Sequence, residues 1–225
     1  MGIVRGSSFA ARHLDPGTRM GEVLFGLIMT LTFTLGAGLV IQEEGRQGAR
    51  EMLIAILGCN LAWGLIDGVF YVLGQVFERG RLRRIGAGVR QADSDAIALE
   101  LVAAEFDEVL APVTDEPARR GLYASVVQRL RSTPPAPNPV RGQDLLGGLA
   151  SGWLVFACSI PAVIPFLFLD DPHLALRISN AILIGLMFLV GHRMARYTMA
   201  WPWAAGSVFA LAGIVLVAIA IRLGG

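Results

Sequence analysis

The hydrophobic pattern of the chain consists of five long apolar segments, joined by short polar connections and one longer polar stretch. The segments cover residues 23–41, 52–77, 145–169, 174–194 and 203–221. Each is close to the roughly 20 residues that a helix needs to cross the hydrocarbon core of a bilayer. They are too long and continuous for barrel strands, so helices must satisfy their backbone groups in lipid. The pattern predicts an all-α polytopic membrane protein with five transmembrane helices.

The longer polar stretch predicts a small cytoplasmic helical insert between the second and third spans. Helix-start residues at 93–95 predict a helix over 96–113, and a second helix is expected over 118–130, followed by a proline-rich linker. Its apolar positions, expected to face inward, are Leu99, Val102, Phe106, Val109, Leu110 and Val113 on the first helix and Leu122, Val126 and Leu130 on the second. The predicted boundaries are 1–21 for a cytoplasmic N-terminal segment, 22–77 for spans one and two, 78–143 for the insert and 144–225 for spans three to five.

Composition agrees with a membrane protein. Hydrophobic residues make up 54% of the chain and charged residues 16%, whereas a soluble domain carries about 25% charged residues. This excludes a disordered chain, a disulfide-rich secreted module and an ordinary soluble enzyme. The 19 basic and 18 acidic residues nearly cancel, so net charge identifies no partner. The lipid bilayer is the expected partner, and nucleic acid is not.

The arginine distribution predicts the orientation. All 19 basic residues are arginines, and placing the N-terminus in the cytoplasm puts fifteen of them inside and four outside. The positive-inside rule therefore predicts a cytoplasmic N-terminus and an external C-terminus. The membrane is expected to be a bacterial inner membrane or a vacuole-type membrane.

The second span carries polar side chains on one helical face. They are Asn60, Gly64, Asp67, Tyr71 and Glu78. Asp67 lies near the middle of the segment, where a carboxylate costs roughly 2.5–3.5 kcal/mol on insertion scales. One interpretation is an ion or proton site at Asp67. The other is a protonated Asp67 that is hydrogen-bonded to Asn60, Thr30 or Thr34 on neighbouring helices.

The first span adds a stripe of small residues and one soft candidate ligand. Gly26, Thr30 and Thr34 share a face that allows a neighbouring helix to approach closely. Met29 is a candidate metal ligand or a packing residue. Thr30, Thr34, Tyr71 and Glu78 are the candidate residues of a transport path. Glu22 is placed at the cytoplasmic end of this span, which leaves Asp67 as the only intramembrane carboxylate.

Two prolines, Pro161 and Pro165, are expected to kink the third span, because each removes a helix hydrogen bond.

Acidic residues of the insert form a second candidate site. Glu100, Asp107 and Glu108 lie together on the polar face of the first predicted helix, with Glu105 at its margin. The face is either a solvated surface or a site for a hard divalent cation. The insert contains no Cys or His, which excludes a structural zinc site. No tightly bound cofactor is expected.

Sequence motifs of catalysis are absent. The chain has no Walker loop, no dinucleotide fingerprint, no zincin motif and no nucleophile elbow. A single intramembrane carboxylate does not make an aspartyl protease dyad. The protein is therefore not expected to be an enzyme.

The layout resembles the vacuolar iron transporter (VIT) family, of which the chain would be a divergent member. The residues that carry the resemblance are Gly148-Leu149-Ala150-Ser151 with Ile160-Pro161-Ala162-Val163-Ile164-Pro165-Phe166, then Gly185-Leu186-Met187-Phe188-Leu189-Val190-Gly191, Ala205-Gly206 and Leu223-Gly224. The resemblance implies a homodimer that moves Fe²⁺ or Mn²⁺ out of the cytoplasm, with protons as the counter-ion. It also implies metal-binding glutamates in the insert, for which Glu100, Glu105 and Glu108 are the matching positions.

Two functions from different classes remain open. The leading hypothesis is a transporter of a divalent metal cation, with Asp67, Asn60 and Met29 at the membrane site and the insert glutamates collecting cytoplasmic metal. The alternative is a membrane scaffold or assembly factor that does not transport and whose insert binds a partner. A proton-coupled carrier of a small organic solute is a third option.

Overall fold

The computed structural model describes residues 8–134 and 137–222, without the side chains of residues 36–40, 42, 220 and 221. Within these ranges it is helical and contains no strand, so the predicted all-α class is confirmed. The helices are α1 (Phe9–His13), α2 (Pro16–Gln91), α3 (Asp95–Leu110), α4 (Glu116–Ser132), α5 (Gly142–Ala157), α6 (Ile160–Phe168), α7 (Pro172–Thr198) and α8 (Pro202–Arg222).

Several of these helices are long and apolar enough to cross a membrane. By length and composition the stretches that qualify are Pro16–Leu35, Glu43–Gln91, Gly142–Phe168, Pro172–Thr198 and Pro202–Ile219. Large apolar side chains on them, among them Leu65, Phe70 and Leu167, are exposed on the isolated chain. Such a surface is costly in water and is matched by lipid. The chain therefore has the structure of a multi-pass membrane protein.

The α2 helix reverses direction at a single residue. Gly45 has φ 58° and ψ −125°, a conformation that glycine adopts without a steric penalty. We call the parts before and after it α2a (16–44) and α2b (46–91). Thr30 and Asn60 lie equally far from Gly45 along the chain and are hydrogen-bonded to each other, so α2a and α2b pack antiparallel. The sequence pattern predicted a longer polar connection, between 41 and 52, because it does not reveal that one glycine suffices for the turn.

The chain divides into two compact units, Met1–Val72 with Gly142–Gly225 and Leu73–Arg141. The first unit has its main apolar core between α2a, the α5–α6 segment and α7. The fully or almost fully buried members of this core include Leu27, Leu31, Ala162, Leu183 and Met187. The α7 and α8 helices pack closely, since a Cβ at Gly206 would lie 2.7 Å from Cε2 of Phe188.

The third predicted span is broken, as its prolines predicted. The α5 helix ends at Ala157 and α6 begins at Ile160, with Pro161 in its first turn and Pro165 inside it. The Ser159 amide donates to the Phe156 carbonyl (3.1 Å), a shorter-range bond than that of a regular α-helix. Pro161 has no amide hydrogen with which to continue the helical pattern. The structure thus has a break just before Pro161, whereas Pro165 lies inside the continuous α6.

The second unit contains a helical hairpin packed on the end of α2b. The predicted helices are confirmed as α3 and α4, which begin at caps made by Ser94 and Asp115. Their core with α2b is formed by Val89, Ala98, Val102, Tyr123 and Val127.

Three residues predicted to face inward from this hairpin are exposed. Val109 and Val113 are 71% and 73% exposed, and Leu122 is 46% exposed. Val113 lies beyond the end of α3, and Leu110 takes the core contact next to Val109. In α4, Tyr123 turns inward in place of Leu122 and donates a hydrogen bond to Asp107 (2.9 Å). The prediction for these three positions was wrong.

Candidate functional site

Asn60 lies in a buried contact between three helices. Its side chain is fully buried, and its Nδ2 donates to Oγ1 of Thr30 (2.7 Å), close to the Val155 carbonyl of α5 (3.4 Å). The Thr30 hydroxyl in turn donates to the Gly26 carbonyl (2.8 Å). Oδ1 of Asn60 is buried and has no hydrogen-bond partner in the described part of the chain. A buried acceptor of this kind costs about 1–3 kcal/mol when it stays unpaired, so it offers an oxygen to a ligand.

Asp67 lies two helical turns further along α2b, about 10 Å from the level of Asn60. Its Oδ2 is buried and has no hydrogen-bond partner among the residues that the structure describes. The hydrogen-bonded arrangement, in which Asp67 binds Asn60, Thr30 or Thr34, is not the one observed. Nδ2 of Asn60 instead donates to the Thr30 hydroxyl, which donates to the Gly26 carbonyl.

A second carboxyl group accompanies Asp67. Glu22 of α2a is close enough to interact electrostatically with Asp67, and its Oε1 accepts a hydrogen bond from Ser151 of α5 (2.6 Å). The sequence pattern predicts Glu22 at the end of its span and Asp67 as the only intramembrane carboxylate. Antiparallel packing about Gly45 brings the two to a common level. Two like charges in a poorly solvated site repel, and a cation or proton between them relieves the repulsion.

Reciprocal glycine contacts hold this site in place. Gly64 and Gly68 on α2b face Gly152 and Gly148 on α5. A Cβ at Gly64 would lie 2.5 Å from the Gly152 carbonyl oxygen, and a Cβ at Gly148 would lie 2.5 Å from the Gly68 oxygen. Asp67 and Ser151 belong to these two four-residue repeats. The GxxxG spacing in both helices is a sequence signal for this packing, and the predicted site did not include it.

Tyr71 closes the α1 side of the site. Its hydroxyl donates to the His13 carbonyl (3.3 Å), and its ring packs where a side chain at Gly147 would otherwise lie. Tyr71 thus lies one turn from Asp67, as the sequence placed it, and its hydroxyl already donates a hydrogen bond.

Just before α2a, the hydrogen bond from the Thr18 hydroxyl lowers the pKa of Asp15 below its ordinary value, despite an opposing effect of partial burial.

Two candidate residues of the first span lie apart from these contacts. The Thr34 hydroxyl is 2.6 Å from Oδ1 of Asn180 on α7 and 2.8 Å from the Leu31 carbonyl, and it donates to these acceptors. Met29 is partly buried, about 100° around the helix from Thr30. No hydrogen bond in the described part of the chain joins Met29 to Asn60 or Asp67.

The acidic residues of the second unit are partly neutralised. Arg81 forms ion pairs with both Glu78 (2.7 Å) and Glu105 (2.8 Å). Asp107 pairs with Arg119 (3.0 Å) and accepts the hydrogen bond from Tyr123, whose pKa is raised by burial and by this bond. Glu100 and Glu108 are exposed. The described ranges contain no group of three or more His, Cys, Asp or Glu residues that is arranged to hold a metal ion.

Comparison with protein-family models and with curated proteins found no match for this chain. Evidence of function therefore comes from the chain's own residues. What they assemble is a pair of carboxyl groups with a hydroxyl, flanked along α2b by a buried amide oxygen on one side and a tyrosine on the other.

Proposed function

We propose that the protein is a membrane transporter that moves a divalent metal cation, iron or manganese, out of the cytoplasm in exchange for protons. The observation that supports it is that Glu22 of α2a and Asp67 of α2b lie at a common level of the helical bundle, within electrostatic range of each other. Neither carboxyl group is paired with a basic side chain among the described residues. The proposal includes five transmembrane helices, a cytoplasmic N-terminus, and a bacterial inner or vacuole-type membrane.

The chemistry of the pair suits a hard cation. Carboxylate and hydroxyl oxygens are the ligands that divalent cations such as Mn²⁺ prefer. Glu22, Asp67 and Ser151 supply these groups from three different helices, so a small change in helix packing changes the site. Two carboxyl groups do not complete a coordination sphere, and bound water supplies the remaining ligands. Protons that replace the departing metal remove the repulsion between the two carboxylates, and this exchange couples metal transport to proton transport.

Asn60 extends the path by one further step. Its unpaired Oδ1 lies two turns from Asp67 on the same helix. A cation that leaves the carboxyl pair therefore finds a neutral oxygen next, which binds it more weakly and favours its release. The resemblance of the layout to the VIT family adds support, and with it the proposal of a homodimer.

Transport into vesicles tests the site. Purified protein in proteoliposomes is assayed for Mn²⁺ and Fe²⁺ uptake with an internal metal-sensitive dye, while a pH dye follows proton counterflow. We expect Asp67→Asn and Glu22→Gln each to lower metal uptake at least tenfold, because each variant leaves only one carboxyl group to bind the cation. Glu44→Gln, at an exposed glutamate outside the pair, is the control and retains uptake. Normal uptake in both site variants would reject the assignment.

One observation favours the scaffold as a second candidate. Val109 and Val113 at the tip of the hairpin expose most of their apolar surface, which suits binding of a partner protein. If this function is correct, the purified wild type transports no divalent metal and Asp67→Asn has no effect in cells. Val109→Ser with Val113→Ser would instead abolish the cellular function.

A further inference from the structure

A groove in the first unit is independent of the carboxyl pair. It has a volume of about 750 Å³ and is walled by α2a, the α5–α6 segment and α7. None of Glu22, Ser151 and Asp67 lines it. Its volume falls within the range of about 300–1,000 Å³ that is common for pockets of small ligands.

One end of the groove is strongly basic. Arg19 of α2a and Arg193 and Arg196 of α7 line this end, together with Tyr197. Nε of Arg19 is buried and has no hydrogen-bond partner in the described ranges. No acidic residue is among those that line the groove. Three arginines without a facing carboxylate form a site for an anion, and guanidinium groups match phosphate oxygens in geometry.

The rest of the groove is apolar. Its walls continue from the basic end through Val23 and Leu27 of α2a and through Leu189 and Leu186 of α7, with Pro161 opposite. From Arg19 to Leu27 the apolar wall is about 12 Å long, given the rise of an α-helix. A ligand that fills both parts must carry an anionic head and a hydrocarbon chain.

We propose that this groove binds one anionic phospholipid, with its phosphate at the three arginines and an acyl chain along the apolar wall. A soluble anion leaves the apolar wall unfilled, and a zwitterionic lipid brings no net negative charge to the arginines. In the proposed orientation the basic end lies at the cytoplasmic leaflet, where basic pockets between transmembrane helices suit anionic head groups. The inference does not depend on metal transport.

Lipid binding by the full-length protein tests the proposal. Delipidated protein in a neutral detergent is titrated with phosphatidylglycerol or phosphatidylcholine and the lipid-bound fraction is measured by native mass spectrometry. The test variant is Arg193→Gln with Arg196→Gln, whose exposed side chains allow substitution without loss of the core. The control removes the same charge at two exposed arginines of the second unit, Arg83→Gln with Arg84→Gln. Ala157→Phe places a larger side chain in the apolar part of the groove and separately tests binding of the acyl chain.

We expect the wild type and the control to bind one phosphatidylglycerol in preference to phosphatidylcholine. The Arg193 and Arg196 double variant should lose roughly 30-fold in affinity for phosphatidylglycerol, given the usual contribution of two arginines near an anionic surface. Excess inorganic phosphate should not displace the lipid, because it makes no apolar contact. Equal binding of both lipids, equal loss in the control, or displacement by phosphate would each overturn the proposal.

Discussion

The packing of α2b on α5 predicts a sharp difference between two glycines of the same helix. A Cβ at Gly64 would lie 2.5 Å from the Gly152 carbonyl oxygen, about 0.9 Å less than the 3.4 Å at which ordinary contact begins. The obstacle is backbone, so Gly64→Ala forces the two helices apart. Overpacking of this kind costs about 1–3 kcal/mol.

The matched variant is Gly58→Ala, six residues away on the same helix. A Cβ at Gly58 would have no atom of the described residues within 4 Å. Replacing glycine by alanine in a helix then stabilises it by up to about 1 kcal/mol, because alanine loses less backbone entropy. The two variants carry the same chemical change, so the difference between them reports the helix contact.

Unfolding in mixed micelles measures this difference. Each variant is titrated with sodium dodecyl sulfate, and the folded fraction is followed by tryptophan fluorescence and circular dichroism. Gly64→Ala should unfold at a clearly lower detergent fraction than the wild type, and Gly58→Ala at the same fraction or a higher one. Equal midpoints for both variants would refute the close approach of α2b and α5. The proposed transport adds a second expectation, since separation of the helices also moves Asp67 away from Ser151 and lowers uptake.

Three further predictions concern single residues. Gly45→Ala should destabilise the protein by about 1–3 kcal/mol through backbone strain alone, since no atom of the described residues lies within 4 Å of the new Cβ. Stability equal to the wild type would contradict the turn. Asn60→Leu should change the free energy of unfolding by less than about 1 kcal/mol, because it removes the hydrogen bond to Thr30 and the unpaired Oδ1 together. The same variant should abolish metal uptake. A large loss of stability would mean that Oδ1 has a partner. The pKa of Asp15 is lowered in the folded chain, so its ionised form stabilises the fold when the pH is above the ordinary pKa of 3.8. The difference in melting temperature between the wild type and Asp15→Asn should therefore shrink as the pH falls below 3.8.

The pattern of apolar residues was enough for the class of fold, because a helix that crosses lipid must be long, continuous and apolar. The kink in the third span was also predictable, since proline lacks an amide hydrogen wherever it occurs. The same reasoning located the helices of the insert and most of their inward positions, but it missed Tyr123 on α4. Which side of α4 turns inward depended on a partner for the Tyr123 hydroxyl, and Asp107 on the other helix supplies it.

The chain alone thus determined which segments are helices and that an acidic residue lies within an apolar one. Only the tertiary structure decided what that acid meets. The turn at Gly45 sets α2a against α2b in one register, and the glycines of α5 bring a third helix against α2b. Glu22, Asp67 and Ser151 are distant in sequence, so their meeting is a consequence of packing geometry that no local pattern records.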